Sequence, residues 1–217
     1  MISPLLANIL LTPFDKEMRE RGYQLTRFAD DWTVTCSTRL QAEEVLKVAR
    51  KILKSLGVEL NPEKTRIVHI SIGFAFLGYV IRQGKKPLYL PVNKLSSNVR
   101  PGGLYARPSD KSLGHFKETI KALTQRKAPV SLLQLITQVN PVIRGWGMYY
   151  RRAHIRRLFN QLDRWIVRRL WSFVSKRWRN TCWKVYPERR LYEELGLVNL
   201  VAMIPSLESK RKNAHSL

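Results

Sequence analysis

Two adjacent carboxylates, Asp30 and Asp31, stand between two β-prone runs in the stretch Gln24 to Ser37, and this narrows what the surrounding chain can become. Leu25 to Phe28 reads as one strand. Trp32 to Cys36 alternates aromatic or β-branched residues at period two and reads as its partner, which leaves Ala29, Asp30 and Asp31 at the tip of a hairpin. Neighbouring acids at a strand end can ligate hard divalent cations. Magnesium takes oxygen ligands, commonly one or two carboxylates plus substrate phosphates, and a pair of such ions can clamp both oxygens of a phosphoryl displacement. The plainer alternative is a turn in which Asp serves only because it tolerates tight backbone geometry.

The 217 residues are enough for one or two domains with a sizeable core, and 39 Lys plus Arg against 16 Asp plus Glu give a net charge of +23. A polyanionic partner follows. The charge is uneven: residues 1–80 hold 11 basic and 9 acidic side chains, residues 81–190 hold 25 and 4. Binding therefore belongs to the middle of the chain. Cys36 and Cys182 are too few and too far apart for a disulfide framework or zinc site, which points to a reducing compartment. The apolar run Leu5 to Leu11 lacks a basic leader and is too short to span a bilayer, so the expectation is a cytoplasmic protein that does not enter a membrane. A basic amphipathic protein lying on an anionic membrane would share the charge but not the motifs.

The spacing predicts a helix opening at Ser3-Pro4 and stopping at Gly22, with Pro13 kinking or dividing it. A capping box at Thr38 and Gln41 starts a second helix along Val45, Val48, Ala49, Ile52, Leu53 and Leu56, which Gly57 closes. Val58 to Leu60, Arg66 to Ile70 and Phe74 to Ile81 read as strands, with Phe74, Phe76 and Tyr79 alternating along the last. Arg82 to Asp110, rich in Gly, Pro and basic residues, reads as short strand plus loop. Helical periodicity resumes at Ser112. Leu113, Phe116, Ile120 and Leu123 form one stripe and Leu132, Leu133, Ile136 and Val139 another, with Pro129 between them. Pro141 and the Gly145-Trp146-Gly147 unit allow a bend or a close approach. The longest helix runs from about Ile155 to Arg179, apolar along one stripe and cationic at Arg156, Arg157, Arg164, Arg168, Lys176, Arg177 and Arg179. The fold class is α+β followed by all-α.

The wording from Arg27 to Asp31 resembles the aromatic-Ala-Asp-Asp hairpin of reverse transcriptases, and four further stretches match one branch in order. They are Ser3 to Asn8, Leu60 to Thr65, Gly73 to Gly78, and Asn140 to Trp146. The chain thus resembles the group II intron reverse transcriptase/maturase family from its first residues to about Glu194. Phe28 replaces the family's usual Tyr. The family's fingers, and the upstream palm strand bearing a third metal-binding Asp, have no counterpart, and Met1 stands where the family has an internal apolar residue. This suggests an internal Met codon read as an initiator.

The resemblance implies the carboxyl half of a polymerase palm at 1–92, a linker at 93–111, a thumb or maturase-specific domain at 112–195 and a tail at 196–217. It implies RNA-directed DNA polymerase activity coupled to intron splicing, with two magnesium ions. Asp30 and Asp31 would be metal ligands, and Lys64 would act near the phosphates of the incoming nucleotide. The partners would be intron RNA, an RNA template, a DNA primer and deoxynucleoside triphosphates. Exposed palm surface would favour association. Arg144, Tyr149, Tyr150, Arg151, Arg152, Arg156, Arg157, Arg164 and Arg168 are the expected nucleic-acid contacts, since aromatics among arginines suit base stacking plus phosphate pairing. Trp165 and Trp178 also fit a core, and Trp146, between two glycines, is expected to act by packing. His69, His115, His154 and His215 show no ligand spacing. Two rivals remain: a non-catalytic RNA-binding splicing cofactor that keeps the hairpin as a relic, and a generic basic nucleic-acid binder. The chain alone is expected not to polymerise DNA.

Overall fold

The computed structural model describes residues 3–84, 103–125, 129–175 and 182–205. The fold is α+β, and the chain divides into two compact units, residues 1–77 and 78–217.

In the first unit, helix α1 (Ser3–Glu20) leads through Gly22 into strands β1 (Gln24–Phe28) and β2 (Asp31–Thr35), followed by helix α2 (Arg39–Ser55) and the short strand β3 (Phe74–Phe76). Both helix ends are set by glycine in the left-handed region. After α1 the Tyr23 and Gly22 amides donate to the Met18 and Arg19 carbonyls, and after α2 the Val58 and Gly57 amides donate to Leu53 and Lys54. This double bond satisfies the terminal carbonyls that a helix leaves open. At the start of α2 the Thr38 side chain accepts from the Gln41 amide, as predicted, while the Gln41 side chain accepts from Ser37 rather than from Thr38. Leu11, Phe14 and Met18 of α1 meet Val45, Ala49, Ile52 and Leu53 of α2 in a core that the hairpin covers with Leu25, Trp32 and Val34. Phe14 is fully buried with its ring 5.3 Å from that of Trp32.

Three strand expectations fail here, and of the two readings at Pro13 only division is excluded: Pro13 lies inside α1, which runs through it as one helix. The carbonyl it deprives of a donor is that of Ile9, which is exposed, so water can serve it. Val58 to Leu60 and Arg66 to Ile70 form no strand: Val58 and Leu60 pack on the core without joining a sheet, and no ladder partner stands beside either segment among the described residues. Apolar alternation records burial on one side and does not by itself supply a neighbour to pair with. Phe74 to Ile81 is not one strand either, because the chain turns at Leu77 and Gly78, both with positive φ.

In the second unit, β4 (Tyr79–Gln83) pairs antiparallel with β5 (Leu104–Pro108), Tyr79 opposite Pro108 and Gln83 opposite Leu104. Helices α3 (Asp110–Leu123), α4 (Leu132–Tyr150) and α5 (Arg156–Ser175) follow, then a short α6 (Cys182–Val185), a π turn (Arg190–Glu194) and a 3-10 turn (Val201–Met203). Ser109 caps α3, and Ser131 with Gln134 forms a reciprocal capping box on α4. Pro141 lies inside α4 as Pro13 lies inside α1, and the carbonyl it frees is again on an exposed residue, Thr137. The core is Leu113, Phe116 and Ile120 from α3, Leu135, Ile136, Val139 and Ile143 from α4, and Leu158, Phe159, Leu162, Ile166 and Leu170 from α5. Two buried or half-buried polar side chains then pin the C-terminal segment to the helices. Asp163 accepts from the Leu200 and Val201 amides, and Asn140 donates to the Gly196 carbonyl and accepts from the Val198 amide. Gly147 allows the closest approach, since a Cβ there would lie 2.7 Å from Leu200 Cδ2 and 2.9 Å from Met203 Sδ.

Candidate catalytic hairpin and nucleic-acid face

The register of the hairpin fixes where its two acids stand. Phe28 pairs with Asp31, so the connection is the two residues Ala29 and Asp30, and Asp31 is the first residue of β2 rather than part of the tip. Ala29 has φ +53, in a region where a side chain is unfavourable and glycine is the usual occupant. Both carboxylates are exposed, as is Phe28. Their setting suits a cation that accepts one or two carboxylates and completes its shell with water or phosphate oxygens. Among the described residues no third His, Cys, Asp or Glu joins them in a metal-sized group. Three other acids of this unit are engaged in ion pairs: Asp15 with Arg27 at 2.6 Å, Glu17 with Arg21 at 2.6 Å and Glu43 with Arg39 at 2.9 Å.

Arg27, which the sequence did not single out, holds the turn from behind. Alternation along β1 turns it inward with Leu25, and its side chain is only 10% exposed. Its Nε and Nη2 donate to the two Asp15 oxygens at 2.7 and 2.6 Å, and its Nη1 donates to Asn8 Oδ1 at 2.9 Å and to the Ala29 carbonyl at 2.8 Å. The Asp15 hydrogen bond, ahead of its charge, pushes the already high guanidinium pKa further up, against the opposing effect of burial. Asn8 and Asp15 are seven residues apart, two helical turns, and so share a face of α1. That spacing was the available signal.

Lys64 is exposed on a turn that Asn61 organises: the Asn61 side chain accepts from the Glu63 and Lys64 amides, and its carbonyl accepts from Thr65.

In the second unit most of the expected contact residues face outward. Arg144, Tyr149, Arg152, Arg156, Arg157, Arg164 and Arg168 are exposed and Arg151 is half-buried. On α5, residues 157, 164 and 168 fall within roughly 40° of each other around the axis, opposite the apolar stripe. The one acid of that helix, Asp163, points inward to the backbone amides it caps. Arg169 differs, bonding the Thr124 hydroxyl and carbonyl at the end of α3, where a cation answers unpaired carbonyls. Trp165 and Trp171 pack against the core, whereas Trp183 is exposed with the Lys184 ammonium 5.6 Å from its ring centre. Lys176, Arg177, Trp178 and Arg179 lie outside the described residues.

Tyr150 is a correction. It is 3% exposed, and its ring lies 4.7 Å from Trp146 and 4.8 Å from Tyr79. Its hydroxyl is 3.1 Å from the Gly78 carbonyl and 2.8 Å from Ser112 Oγ, which in turn is 3.1 Å from Trp146 Nε1. A phenol has one proton. Donation to Gly78 lets the Ser112 hydroxyl donate to Tyr150 and accept from Trp146, so every member of the chain is satisfied. Tyr150 therefore organises the core instead of facing a ligand. Trp146 stacks on Phe116 at 4.6 Å and packs as expected.

Two family models match the chain. One described as reverse transcriptase (RNA-dependent DNA polymerase) covers residues 1–81, and one described as group II intron, maturase-specific domain covers residues 113–190. Among curated proteins, YkfC of Escherichia coli K12 is 30% identical over 36% of this chain and 30% of its own length. An uncharacterized 91 kDa protein in the cob intron of Schizosaccharomyces pombe is 28% identical over 61% of this chain and 18% of its own. The retron Mx65 reverse transcriptase of Myxococcus xanthus is 36% identical over 30% of this chain and 16% of its own. The chain thus spans less than a third of the length of each of these relatives. With an Asp-Asp hairpin in the part that matches reverse transcriptases and a basic helical unit in the part that matches maturases, the chain belongs to the group II intron reverse transcriptase/maturase family.

Proposed function

We propose that the chain contributes to RNA-directed DNA synthesis and to splicing of intron RNA, with nucleotidyl transfer at Asp30 and Asp31 and RNA held by the second unit. The observation that carries the proposal is the two-residue turn that exposes adjacent carboxylates, on the same chain as a maturase-type basic domain. Asp30 and Asp31 would hold magnesium, which supplies positive charge to phosphoryl oxygens as they react. The Lys64 ammonium would face the phosphates of the incoming nucleotide. Two-metal transfer needs carboxylates from more than one strand, so in this reading the complete site would draw a further ligand from beyond the hairpin, and the 217 residues alone would not extend a primer. RNA would lie along Arg144, Tyr149, Arg151 and Arg152 and the outward arginines of α5, where charge pairs with phosphate and Tyr149 offers a stacking face. The partners are then intron RNA, RNA template, DNA primer and deoxynucleoside triphosphates. Among the described residues no helix is long and apolar enough to cross a membrane.

A structured group II intron RNA titrated at several salt concentrations tests the binding half. Affinity should fall steeply with salt, log K losing roughly 0.7–0.9 per phosphate contact for each decade of salt. Reversing Arg157, Arg164 and Arg168 to Glu should weaken binding without changing the melting temperature. A flat salt response, or unchanged affinity after reversal, would refute it. The exposed arginines of the maturase-type unit also fit one second reading, a splicing cofactor that binds RNA without catalysis. That reading requires binding to persist while Asp30→Asn has no effect in any assembled polymerase.

A further inference from the structure

We propose that Arg27 is a positioning residue for the acidic pair, fixing the Ala29–Asp30 turn against α1 so that Asp30 faces the same way as Asp31. This rests on the reading of the pair as metal ligands. The two acids are held by different means. Asp31 belongs to the ladder, opposite Phe28, and register alone orients it. Asp30 lies beyond the ladder, and its direction depends on the peptide plane joining it to Ala29. The oxygen of that plane is the Ala29 carbonyl, which Arg27 Nη1 holds at 2.8 Å. Ala29 has φ +53, so the turn occupies a conformation the backbone of alanine does not favour, and something outside the turn must select it.

The guanidinium is itself immobilised. A side chain 10% exposed on the inward face of a strand would ordinarily be apolar, and a charge there requires pairing in full. Arg27 has it: a two-point fork with Asp15 and a bond to Asn8, both on α1. The planar guanidinium thus carries the rigidity of the helix to the turn. A lysine would keep the charge but concentrates its three donors on one nitrogen, and so could not reproduce the four bonds that Arg27 spreads over Nε, Nη1 and Nη2.

The experiment is solution NMR on the 217-residue chain and its Arg27→Lys and Asn8→Ala variants, with manganese(II) as probe. Two quantities are read: the backbone couplings and carbon shifts of Ala29, which report its φ, and the metal concentration at which the Asp30 and Asp31 amides broaden. In the wild type Ala29 should show positive φ, and both amides should broaden together. In Arg27→Lys the positive-φ signature should be lost, and Asp30 should need about tenfold more manganese, as when a group supporting a metal ligand is removed. The ladder signals of Leu25 and Val34 should stay in place. Asn8→Ala, which leaves the ion pair intact, should shift both quantities in the same direction by less. Wild-type φ at Ala29 in both variants overturns the proposal. So does collapse of the whole hairpin in Arg27→Lys with Asn8→Ala unaffected, since Arg27 would then act only in folding. If the wild type shows no selective broadening, the metal reading fails, and the Ala29 couplings still decide whether Arg27 sets the turn.

Discussion

Gly78 and Tyr150 should be coupled through a single oxygen atom. A Cβ on Gly78 would sit 2.8 Å from the Tyr150 hydroxyl, while the next nearest atom, Tyr150 Cζ, is 3.9 Å away. Gly78→Ala therefore carries two penalties. A left-handed φ of +76 on a non-glycine residue costs about 1–2 kcal/mol. Overpacking against a buried hydroxyl that cannot swing aside adds about 1–3 kcal/mol. Tyr150→Phe removes the hydroxyl and with it the bond to the Gly78 carbonyl, at about 0.5–1.5 kcal/mol. The Ser109 amide still donates to that carbonyl, so it is not orphaned. In the double variant the overpacking vanishes, because the 3.9 Å contact to the ring is ordinary. The double variant should then lose only about 1.5–3.5 kcal/mol, the sum of the backbone and hydrogen-bond costs. Urea unfolding followed by tryptophan fluorescence measures all four proteins, with Trp146 as a local reporter 4.7 Å from the Tyr150 ring. If the two losses add to within about 0.5 kcal/mol, the residues are independent and the packing argument is wrong.

Gly145 and Gly147 should respond oppositely to alanine. Nothing lies within 4 Å of a Cβ at Gly145, so Gly145→Ala should stabilise by about 0.5–1 kcal/mol, while Gly147→Ala should destabilise because Leu200 and Met203 occupy the space; paired urea titrations decide. Trp146→Ala should cost about 3 kcal/mol through lost burial and loss of the Phe116 stack, whereas Tyr149→Ala, which removes ring contacts with Tyr79 and Tyr150 from an exposed position, should lower the unfolding midpoint less and also weaken RNA binding. Burial, ahead of the neighbouring Tyr149 and Tyr150, pushes the Tyr79 phenol from 10 up to about 12. The neutral phenol is thus favoured in the folded state: its stabilising contribution is complete below pH 10 and lost as pH rises through 12. Tyr192 and Tyr149 are also pushed up, chiefly by burial, so ultraviolet titration of Tyr79→Phe should lose one late-ionising tyrosine while others remain, and an unchanged curve would contradict this.

Local signals carried most of the fold. Thr38, Gln41 and Gly57 mark both ends of α2 within a residue, and the alternation from Trp32 onward marks β2. The hairpin bearing Asp30 and Asp31 was legible from two short β-prone runs, but its register was not, since the runs left three residues at the tip and the pairing of Phe28 with Asp31 leaves two. Arg27 was not, because its partners lie 12 and 19 residues earlier, on a helix whose docking no local pattern specifies. Tyr150 was legible and misread. Val139, Ile143, Trp146 and Tyr150 follow one another at intervals of four, three and four, which is the core face of a helix, yet the basic pair after Tyr150 suggested a ligand. The break at Leu77 and Gly78 has a single glycine as its only mark, and that glycine's second role, giving way to Tyr150, depends on residues more than 70 positions away.

Primer extension on an RNA template with magnesium tests the central claim most directly, using this chain alone and this chain with the fingers and upstream palm of a longer relative supplied in trans. Extension should occur only in the mixture, and Asp30→Asn or Asp31→Asn should abolish it. Extension by the mixture that survives both substitutions, or extension by the chain alone, would contradict the assignment of nucleotidyl transfer to this hairpin acting with a further ligand.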